Sequence, residues 1–306
     1  MNRRAFLTTA AGAVATLPAA VAPAKIIDTH THFYDPSRPE GVPWPPKDDP
    51  LLYRTVLPAE YRRMTAQLGI TGTIEVEASK WVEDNQWVLD LAAKDSILVG
   101  TVGHLEPGKP EFRKTLERFH KNRLFRGIRV GSLFGKNLEA SLANPEFIPD
   151  LKAIAGAGLE LDTIGGPPLP EGMVTLTDKV PELRMVIDHL PFDPPQDPSA
   201  RKRYDAALRE LGRRPQVYAK VSNVPRRAGD RVPEDLDYYR PALDELWEVF
   251  GQDRLIYGSN WPVSDKIAPF HVALNLVKAY FGEKGQEACD KYFWKNSMAA
   301  YRWVER

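Results

Sequence analysis

The pattern of apolar and polar positions divides the chain, after its first two dozen residues, into alternating strand-like and helix-like stretches. The strand-like stretches are short runs rich in Val, Ile and Leu, and the stretches between them repeat apolar residues at helical spacing. Strands are predicted at residues 25–32, 72–79, 97–105, 125–131, 159–164, 184–190, 217–223 and 254–260. Helices are predicted at 58–68, 84–94, 110–122, 145–156, 172–180, 199–212, 236–250 and 271–281.

Eight β–α repeats of this spacing predict an α/β protein whose single domain, residues 25–306, is a (β/α)₈ barrel. The alternative is an open doubly wound sheet, which requires a glycine-rich phosphate turn after its first strand. This chain has histidines there instead, so the barrel is favoured. Residues 284–306 are expected to form terminal helices packed on the outside of the barrel.

The first predicted strand contains the densest group of candidate functional residues, in the stretch KIIDTHTHFYD at 25–35. Because side chains alternate along a strand, Asp28, His30 and His32 are expected on one face. Two imidazoles on one face are a ready pair of metal ligands. The alternative is an edge strand whose polar residues face water.

Long loops follow three of the predicted strands, at residues 33–57, 190–198 and 223–235. Barrel enzymes keep their active sites at the C-terminal ends of the strands, where these loops begin. Loops of such length in compact domains are commonly functional. The proline- and aromatic-rich loop 33–57 is therefore expected to wall the mouth of the barrel.

Every predicted strand also presents polar side chains near its C-terminal end, where a purely structural barrel interior would be filled by Val, Ile and Leu. These side chains are Asp28, His30, His32, Glu75, Glu77, His104, Arg129, Asp162, Asp188, His189, Lys220, Ser222, Ser259 and Asn260. Their joint occurrence predicts one polar site at that end of the barrel.

Composition narrows the possible partners. The 306 residues are 43% apolar and 27% charged, and Lys plus Arg and Asp plus Glu both total 41. With no excess of positive charge there is no sign of nucleic-acid binding. The one cysteine, Cys289, excludes an internal disulfide.

The first 24 residues have the layout of an export signal. Arg3 and Arg4 precede a small-residue apolar run, and Ala22 and Ala24 offer an A-x-A cleavage site. The paired arginines resemble a twin-arginine signal, which predicts export to the periplasm. The alternative, an uncleaved membrane anchor, is disfavoured because the run is short and rich in Ala and Thr. No stable membrane insertion is expected.

Five ordered motifs make the chain resemble a known family. They are DTHTH at 28–32, LFRGIRV at 124–130, VIDHLPFDP at 186–194, AKVSN at 219–223 and RLIYGSNWPVSD at 254–265. Their order and spacing are similar to those of the amidohydrolase-related branch of the amidohydrolase superfamily. The set resembles sugar-lactone hydrolases of the L-fuconolactonase and L-rhamnonolactonase type and, more distantly, pyrone-dicarboxylate lactonases.

This resemblance implies a hydrolase that opens a small lactone, in the first instance a sugar aldonolactone, by water attack on the ring ester carbonyl. It implies His30, His32 and His189 as ligands of one divalent metal ion, most simply Zn²⁺, although metal-free catalysis also occurs in this branch. The expected catalytic residues are His189, Asn260, Arg129 and Asp28, and the expected substrate-binding residues are Arg129, Lys220, Glu77, His104 and Trp261. A homodimer is a further possibility.

One departure from the family pattern changes the chemistry. The strand-8 motif usually reads G-S-D-W-P, and its aspartate serves as the base for the attacking water; here the position is Asn260. An amide cannot take that proton. The remaining candidates are a metal-activated water, His189 as a side-chain base, or one of the carboxylates Asp28, Glu77 and Asp265.

Three functions are therefore open. The first is lactone hydrolysis, and the second is metal-dependent decarboxylation of an aromatic acid, as in sister branches of the superfamily. The third is a non-catalytic binding barrel, because Asn260 replaces the usual base. Release of acid, release of carbon dioxide, or ligand binding without turnover distinguishes them.

Overall fold

The computed structural model describes residues 21–306, so most of the predicted export signal lies outside the described residues. Eight parallel strands form one sheet in the order β1 to β8, and helices separate each strand from the next. The strands are β1 Ile26–Thr31, β2 Ile70–Val76, β3 Leu98–Gly103, β4 Phe125–Gly131, β5 Glu160–Ile164, β6 Arg184–Leu190, β7 Val217–Val221 and β8 Leu255–Tyr257.

The eight helices between the strands, and a ninth after β8, bury their apolar faces against the outside of the sheet. They are α1 Pro58–Thr65, α2 Asp84–Lys94, α3 Phe112–Phe119, α4 Leu138–Leu142, α5 Phe147–Gly156, α6 Leu169–Lys179, α7 Pro198–Gly212, α8 Leu236–Phe250 and α9 Phe270–Glu283. A 3₁₀ turn, Val263–Lys266, precedes α9, and the chain ends with α10 Gln286–Asp290, a π-helix Lys291–Lys295 and α11 Asn296–Tyr301. The predicted (β/α)₈ barrel is confirmed. None of the described helices has the length and apolar character needed to cross a membrane.

The barrel closes between β1 and β8 only near their C-terminal ends. There the amide of His32 donates to the carbonyl of Trp261 at 2.9 Å, and the amide of Asn260 donates to the carbonyl of His30 at 2.8 Å. The strand β8 ends at Tyr257 and is shorter than predicted. At the next position, Gly258, an added Cβ would lie 2.9 Å from Cβ of His30 and 3.0 Å from Cδ of Lys220. The glycine therefore makes room for polar side chains at the seam.

The C-terminal segment does not stay outside the barrel, as the sequence suggested. The end of α11 passes beneath the strands, where Tyr301 and Trp303 join a buried cluster with Ile27, Val99 and Val186. The tail is held by hydrogen bonds from Arg126 Nε to the carbonyl of Tyr301, from Arg184 Nε to the carbonyl of Ala300, and from the amide of Val304 to the carbonyl of Val99. The prediction was wrong because apolar spacing shows that a helix is buried, not which surface covers it.

The long loop after β1 lies over the mouth, as predicted. The ring of Trp44 packs against His32 with centroids 5.6 Å apart and against Tyr34 with centroids 5.3 Å apart. The carbonyls and amides of Tyr34 and Val56 pair with each other, which ties the two ends of the loop together. This loop therefore forms one fixed wall of the site.

The floor formed by the tail is expected to contribute strongly to stability. Trp303 is 4% exposed, and replacing it with Ala should lower the free energy of unfolding by about 3–5 kcal/mol through the cavity left behind. Trp81→Ala is the matched control, because Trp81 is 36% exposed and should change stability by less than about 1 kcal/mol. Urea unfolding of both variants checks this; equal losses would contradict a buried floor.

Candidate functional site

Three side chains from β1 and β6 converge at the centre of the barrel mouth. His30, Asp188 and His189 each place one ligand atom within 4.8 Å of the others. His30 Nε2 is buried and has no hydrogen-bond partner among residues 21–306. A buried polar atom without a partner is costly in a purely structural role. This group therefore suits a bound ion or a substrate atom.

Two residues at the strand ends have left-handed backbone, which turns their side chains toward the cavity. His189 has φ 62° and Asn260 has φ 60°. Residues other than glycine are uncommon in this region, although Asn and His enter it more readily than most. Such positions concentrate at functional sites. Both residues line the same cavity.

His32 is oriented by contacts at both of its ring nitrogens. Its Nδ1 lies 2.8 Å from the carbonyl of Val76, so Nδ1 carries the proton and donates it. Asn260 Oδ1 is placed 3.3 Å from Nε2. Because Nε2 then carries a lone pair, a hydrogen bond forms here only with the amide turned so that its nitrogen faces the ring. Within residues 21–306 the grouped ligand atoms belong to His30, Asp188 and His189, which adds Asp188 to the predicted set, and His32 as a ligand stays a prediction.

Burial keeps these imidazoles neutral. It lowers the pKa of His30 well below its usual value, even though the nearby Asp188 carboxylate opposes that shift. It lowers the pKa of His32 to about 3 and that of His189 to about 4. Neutral imidazole is the form that binds a metal or accepts a proton.

An ion-pair array lies directly below the histidines. Lys220 Nζ is 2.7 Å from Asp162 Oδ2 and 2.8 Å from Asp188 Oδ1, and all three side chains are completely buried. Burial by itself raises the pKa of Asp188, but the Lys220 ammonium together with His30 and His189 outweighs burial and holds that pKa well below its usual range. Burial and the charge of Asp188 raise the pKa of Asp162 to about 6. Lys220 is thus enclosed by protein. Its position does not favour the direct contact with substrate that the sequence predicted.

A second cation, Arg129, forms one side of the cavity. Its Nε lies 3.2 Å from Glu77 Oε1, one terminal nitrogen donates to the carbonyl of Glu77 at 2.9 Å, and the other lies 3.6 Å from Asp188 Oδ2. The other oxygen of Glu77 is 2.6 Å from His104 Nδ1. Glu77 therefore orients Arg129, and His104 supports Glu77 from behind the main cavity.

Asp28 does not share a face with the two histidines. Its carboxylate accepts hydrogen bonds from the Tyr61 hydroxyl on α1 at 2.7 Å and from the amide of Ser259 at 2.8 Å. The pairing of β1 with β2 slips between Asp28 and Thr31, which breaks the regular alternation. The one-face expectation was wrong for this reason, and the geometry favours a structural role for Asp28 at the β1–β8 seam.

Trp261 also sits apart from the cavity. It is 1% exposed and packs in an aromatic cluster, with centroid distances of 5.4 Å to Tyr61 and 6.3 Å to Phe33. The expected substrate contact is not supported by this position. The ring instead fills the space between α1 and the barrel rim.

The cavity at the mouth has a volume of about 190 Å³ and a polar floor under apolar walls. The polar lining comes from residues predicted by sequence, namely His32, Glu77, Arg129, His189 and Asn260. The apolar lining is Trp44, Ala78, Leu133, Phe134, Ile164 and Val263. Sequence reasoning missed most of this wall, because Leu133, Phe134 and Ile164 lie just beyond β4 and at the end of β5 without any distinctive motif.

A parallel barrel that gathers histidines, carboxylates and cations at the C-terminal ends of its strands has the layout of a barrel enzyme. The chain belongs to the Amidohydrolase family, whose sequence pattern matches residues 27–303. This confirms the family membership that the motifs suggested.

Known proteins resemble the chain over nearly its whole length. It is 26% identical over 279 residues to L-fucono-1,5-lactonase of Burkholderia ambifaria, covering 89% of this chain and 91% of that protein. A crystal structure of an amidohydrolase from Burkholderia multivorans with bound Zn matches with a TM-score of 0.79 at 21% identity, covering 92% of this chain and 100% of the other. Amidohydrolase 2 from Bifidobacterium longum subsp. infantis matches with a TM-score of 0.70 at 26% identity, covering 91% and 99%.

The position of Asp28 predicts a loss of stability rather than of chemistry. Asp28→Asn places an amide N–H among three donors, the Tyr61 hydroxyl and the amides of Ser259 and His30. We expect the free energy of unfolding to fall by about 1–3 kcal/mol. In the folded fraction, turnover should stay near the wild-type rate, whereas Asp188→Asn should abolish it. Denaturant titration and steady-state kinetics measure the two effects; an inactive but fully stable Asp28→Asn would contradict this assignment.

Proposed function

We propose that the protein hydrolyses a small single-ring lactone by water attack on the ring carbonyl, with sugar aldonolactones as the first class to test. The observation that carries the proposal is the meeting, in one small cavity, of a buried cation, Arg129, and a neutral histidine, His189. The family membership and the resemblance to a protein named L-fucono-1,5-lactonase support the same chemistry.

The size and lining of the cavity limit the substrate. Its volume of about 190 Å³ is below the ~300 Å³ at which pockets for drug-sized ligands begin, so it fits a single ring. The ring carbonyl belongs at the polar floor, since the walls offer aromatic and aliphatic surface. Trp44 and Phe134 on those walls suit the apolar C–H face of such a ring.

Arg129 is the group best placed to stabilise the oxyanion. Two of its nitrogens are fixed by Glu77, and the remaining terminal nitrogen has no hydrogen bond within 3.5 Å among residues 21–306. A donor that is already oriented stabilises developing charge without reorganising. Asn260, whose usual counterpart is a carboxylate, donates a hydrogen bond to the carbonyl or to the water.

His189 is the side-chain base in this proposal. Its Nδ1 bonds to the Ser222 hydroxyl at 3.0 Å, which orients the ring and leaves Nε2 to accept a proton from water. With a pKa lowered by burial to about 4, it is a weak base but is unprotonated at neutral pH. A lactone is an activated ester, so a weak base suffices for its opening.

The residues present also fit one divalent ion. His30, with its unpartnered Nε2, together with Asp188 and His189 would hold it, while Lys220 occupies one oxygen of Asp188. Such an ion would lower the pKa of a coordinated water to about 7, so that no strong carboxylate base is needed. The polarisation of the carbonyl by Arg129 serves the reaction in either case.

Acid release by the purified protein tests the proposal. We expect proton release, followed with a pH indicator, from at least one member of a panel of five- and six-membered lactones. Activity that is lost in chelator and restored by Zn²⁺ would support a metal-activated water, with His30, Asp188 and His189 as the proposed ligands. Activity unchanged by chelator would assign the base to His189. Carbon dioxide release from aromatic acids, or a raised Tm without turnover, would overturn the lactonase proposal.

The planar guanidinium of Arg129 can be tested in the same assay. Arg129→Lys keeps the charge beside Glu77 and Asp188 but loses the fixed geometry, so kcat should fall by at least about tenfold. Arg227→Lys is the matched control and should keep full activity, because in the described part of the chain the side chain of Arg227 bonds only to the carbonyl of Lys266 at the surface.

We also propose that residues 1–24 direct export through the twin-arginine route, on the sequence layout described above. Cells expressing the full chain should contain a periplasmic form that begins at Lys25, as read by cell fractionation and intact mass. Replacing Arg3 and Arg4 with Lys should retain the protein in the cytoplasm. An unprocessed wild-type chain found only in the cytoplasm would refute this. The possible homodimer stays a prediction.

A further inference from the structure

The tail that forms the barrel floor sends one side chain toward the site. Tyr301, at the end of α11, is completely buried, and its hydroxyl donates to Asp162 Oδ1 at 2.7 Å. Its ring also lies under the Lys220 ammonium, with Nζ 5.3 Å from the ring centroid. The tail thus touches two members of the ion-pair array.

The ion-pair array connects Tyr301 to His30 through a series of contacts. Asp162 uses its other oxygen, Oδ2, to accept from Lys220 at 2.7 Å. Lys220 is 2.8 Å from Asp188 Oδ1 and 3.4 Å from His30 Nδ1. One continuous set of contacts therefore runs from the floor to His30, and each side chain in it has no exposed surface.

The position of Lys220 decides which ring nitrogen of His30 carries the proton. His30 Nδ1 lies 3.4 Å from Lys220 Nζ and 3.6 Å from Asp188 Oδ1. If Nδ1 accepts from Lys220, the ring proton is on Nε2; if Nδ1 donates to Asp188, Nε2 carries a lone pair. Only the second tautomer lets the buried, unpartnered Nε2 bind an ion or accept a proton.

We propose that Tyr301 is a positioning residue that acts through Asp162 and Lys220 to set the tautomer of His30. The hydroxyl of Tyr301 holds the Asp162 carboxylate down toward the floor, and Asp162 in turn keeps Lys220 at 3.4 Å from His30 Nδ1, at the long limit of a hydrogen bond. His30 Nδ1 then donates to Asp188, and Nε2 keeps its lone pair. The effect on turnover rests on the proposed lactonase function, whereas the effect on the tautomer does not.

Tyr301→Phe tests the hydroxyl alone, because the ring volume and the contact of the ring with Lys220 are kept. We expect the ¹⁵N resonances of His30, assigned with a His30→Gln variant, to move from the Nδ1-protonated pattern toward the Nε2-protonated one. Tyr257→Phe is the matched control, since Tyr257 is also a buried tyrosine and its hydroxyl has no partner in residues 21–306. It should leave the His30 resonances unchanged.

Kinetics on an accepted lactone give the second readout. Tyr301→Phe should lower kcat by about tenfold with KM within about twofold, and Tyr257→Phe should change neither. In an Asp162→Asn background, adding Tyr301→Phe should have no further effect, because the intermediary is already lost. A similar tenfold loss in both backgrounds would overturn the proposal.

The two readouts separate this inference from the proposed function. If no lactone is hydrolysed by the wild type, the proposed function fails and the His30 resonances still decide the inference. Unchanged His30 resonances in a folded Tyr301→Phe variant would overturn it, whatever the activity. Should Tyr301→Phe not fold, Asp162→Asn supplies the same NMR test one contact further along: altered His30 resonances support the inference, and unaltered ones refute it.

Discussion

A buried lysine held between two carboxylates is the interaction on which the site depends. Lys220, Asp162 and Asp188 come from three neighbouring strands and are fully excluded from water. Removing one partner from a buried ion pair is strongly destabilising, because the remaining charge has no compensation. The array therefore fixes the relative positions of β5, β6 and β7. It also places one charged oxygen of Asp188 directly beneath His30.

The burial that this array requires also sets the chemistry above it. The tail seals the floor with Tyr301 and Trp303, and the loop carrying Trp44 covers the mouth. In the resulting low-dielectric interior the imidazoles stay neutral, and a fixed cation such as Arg129 interacts more strongly with developing charge than it would in water. Stability and reactivity thus arise from the same exclusion of water.

Replacement of the usual carboxylate by Asn260 fits this arrangement. A further anion beside Asp188 would add repulsion in an interior that already holds Asp162, Glu77 and only two nearby cations among the described residues. The amide instead pairs with the neutral His32 without adding charge. The carboxylate that the site does use, Asp188, adjoins His189 on β6.

The sequence by itself determined the barrel, the family and the strands that carry the site, because strand and helix periodicities and motif order are local properties. It identified His30, His189, Arg129 and Asn260 as lining or flanking one site, since parallel strands bring their C-terminal ends together. Only the tertiary structure decided the roles within the site. The slip in β1 pairing turned Asp28 away from the histidines, and distances across the barrel brought Asp188 together with His30 and His189. Likewise, the placement of Tyr301 under Asp162 joins residues 139 positions apart, and no local pattern encodes such a contact.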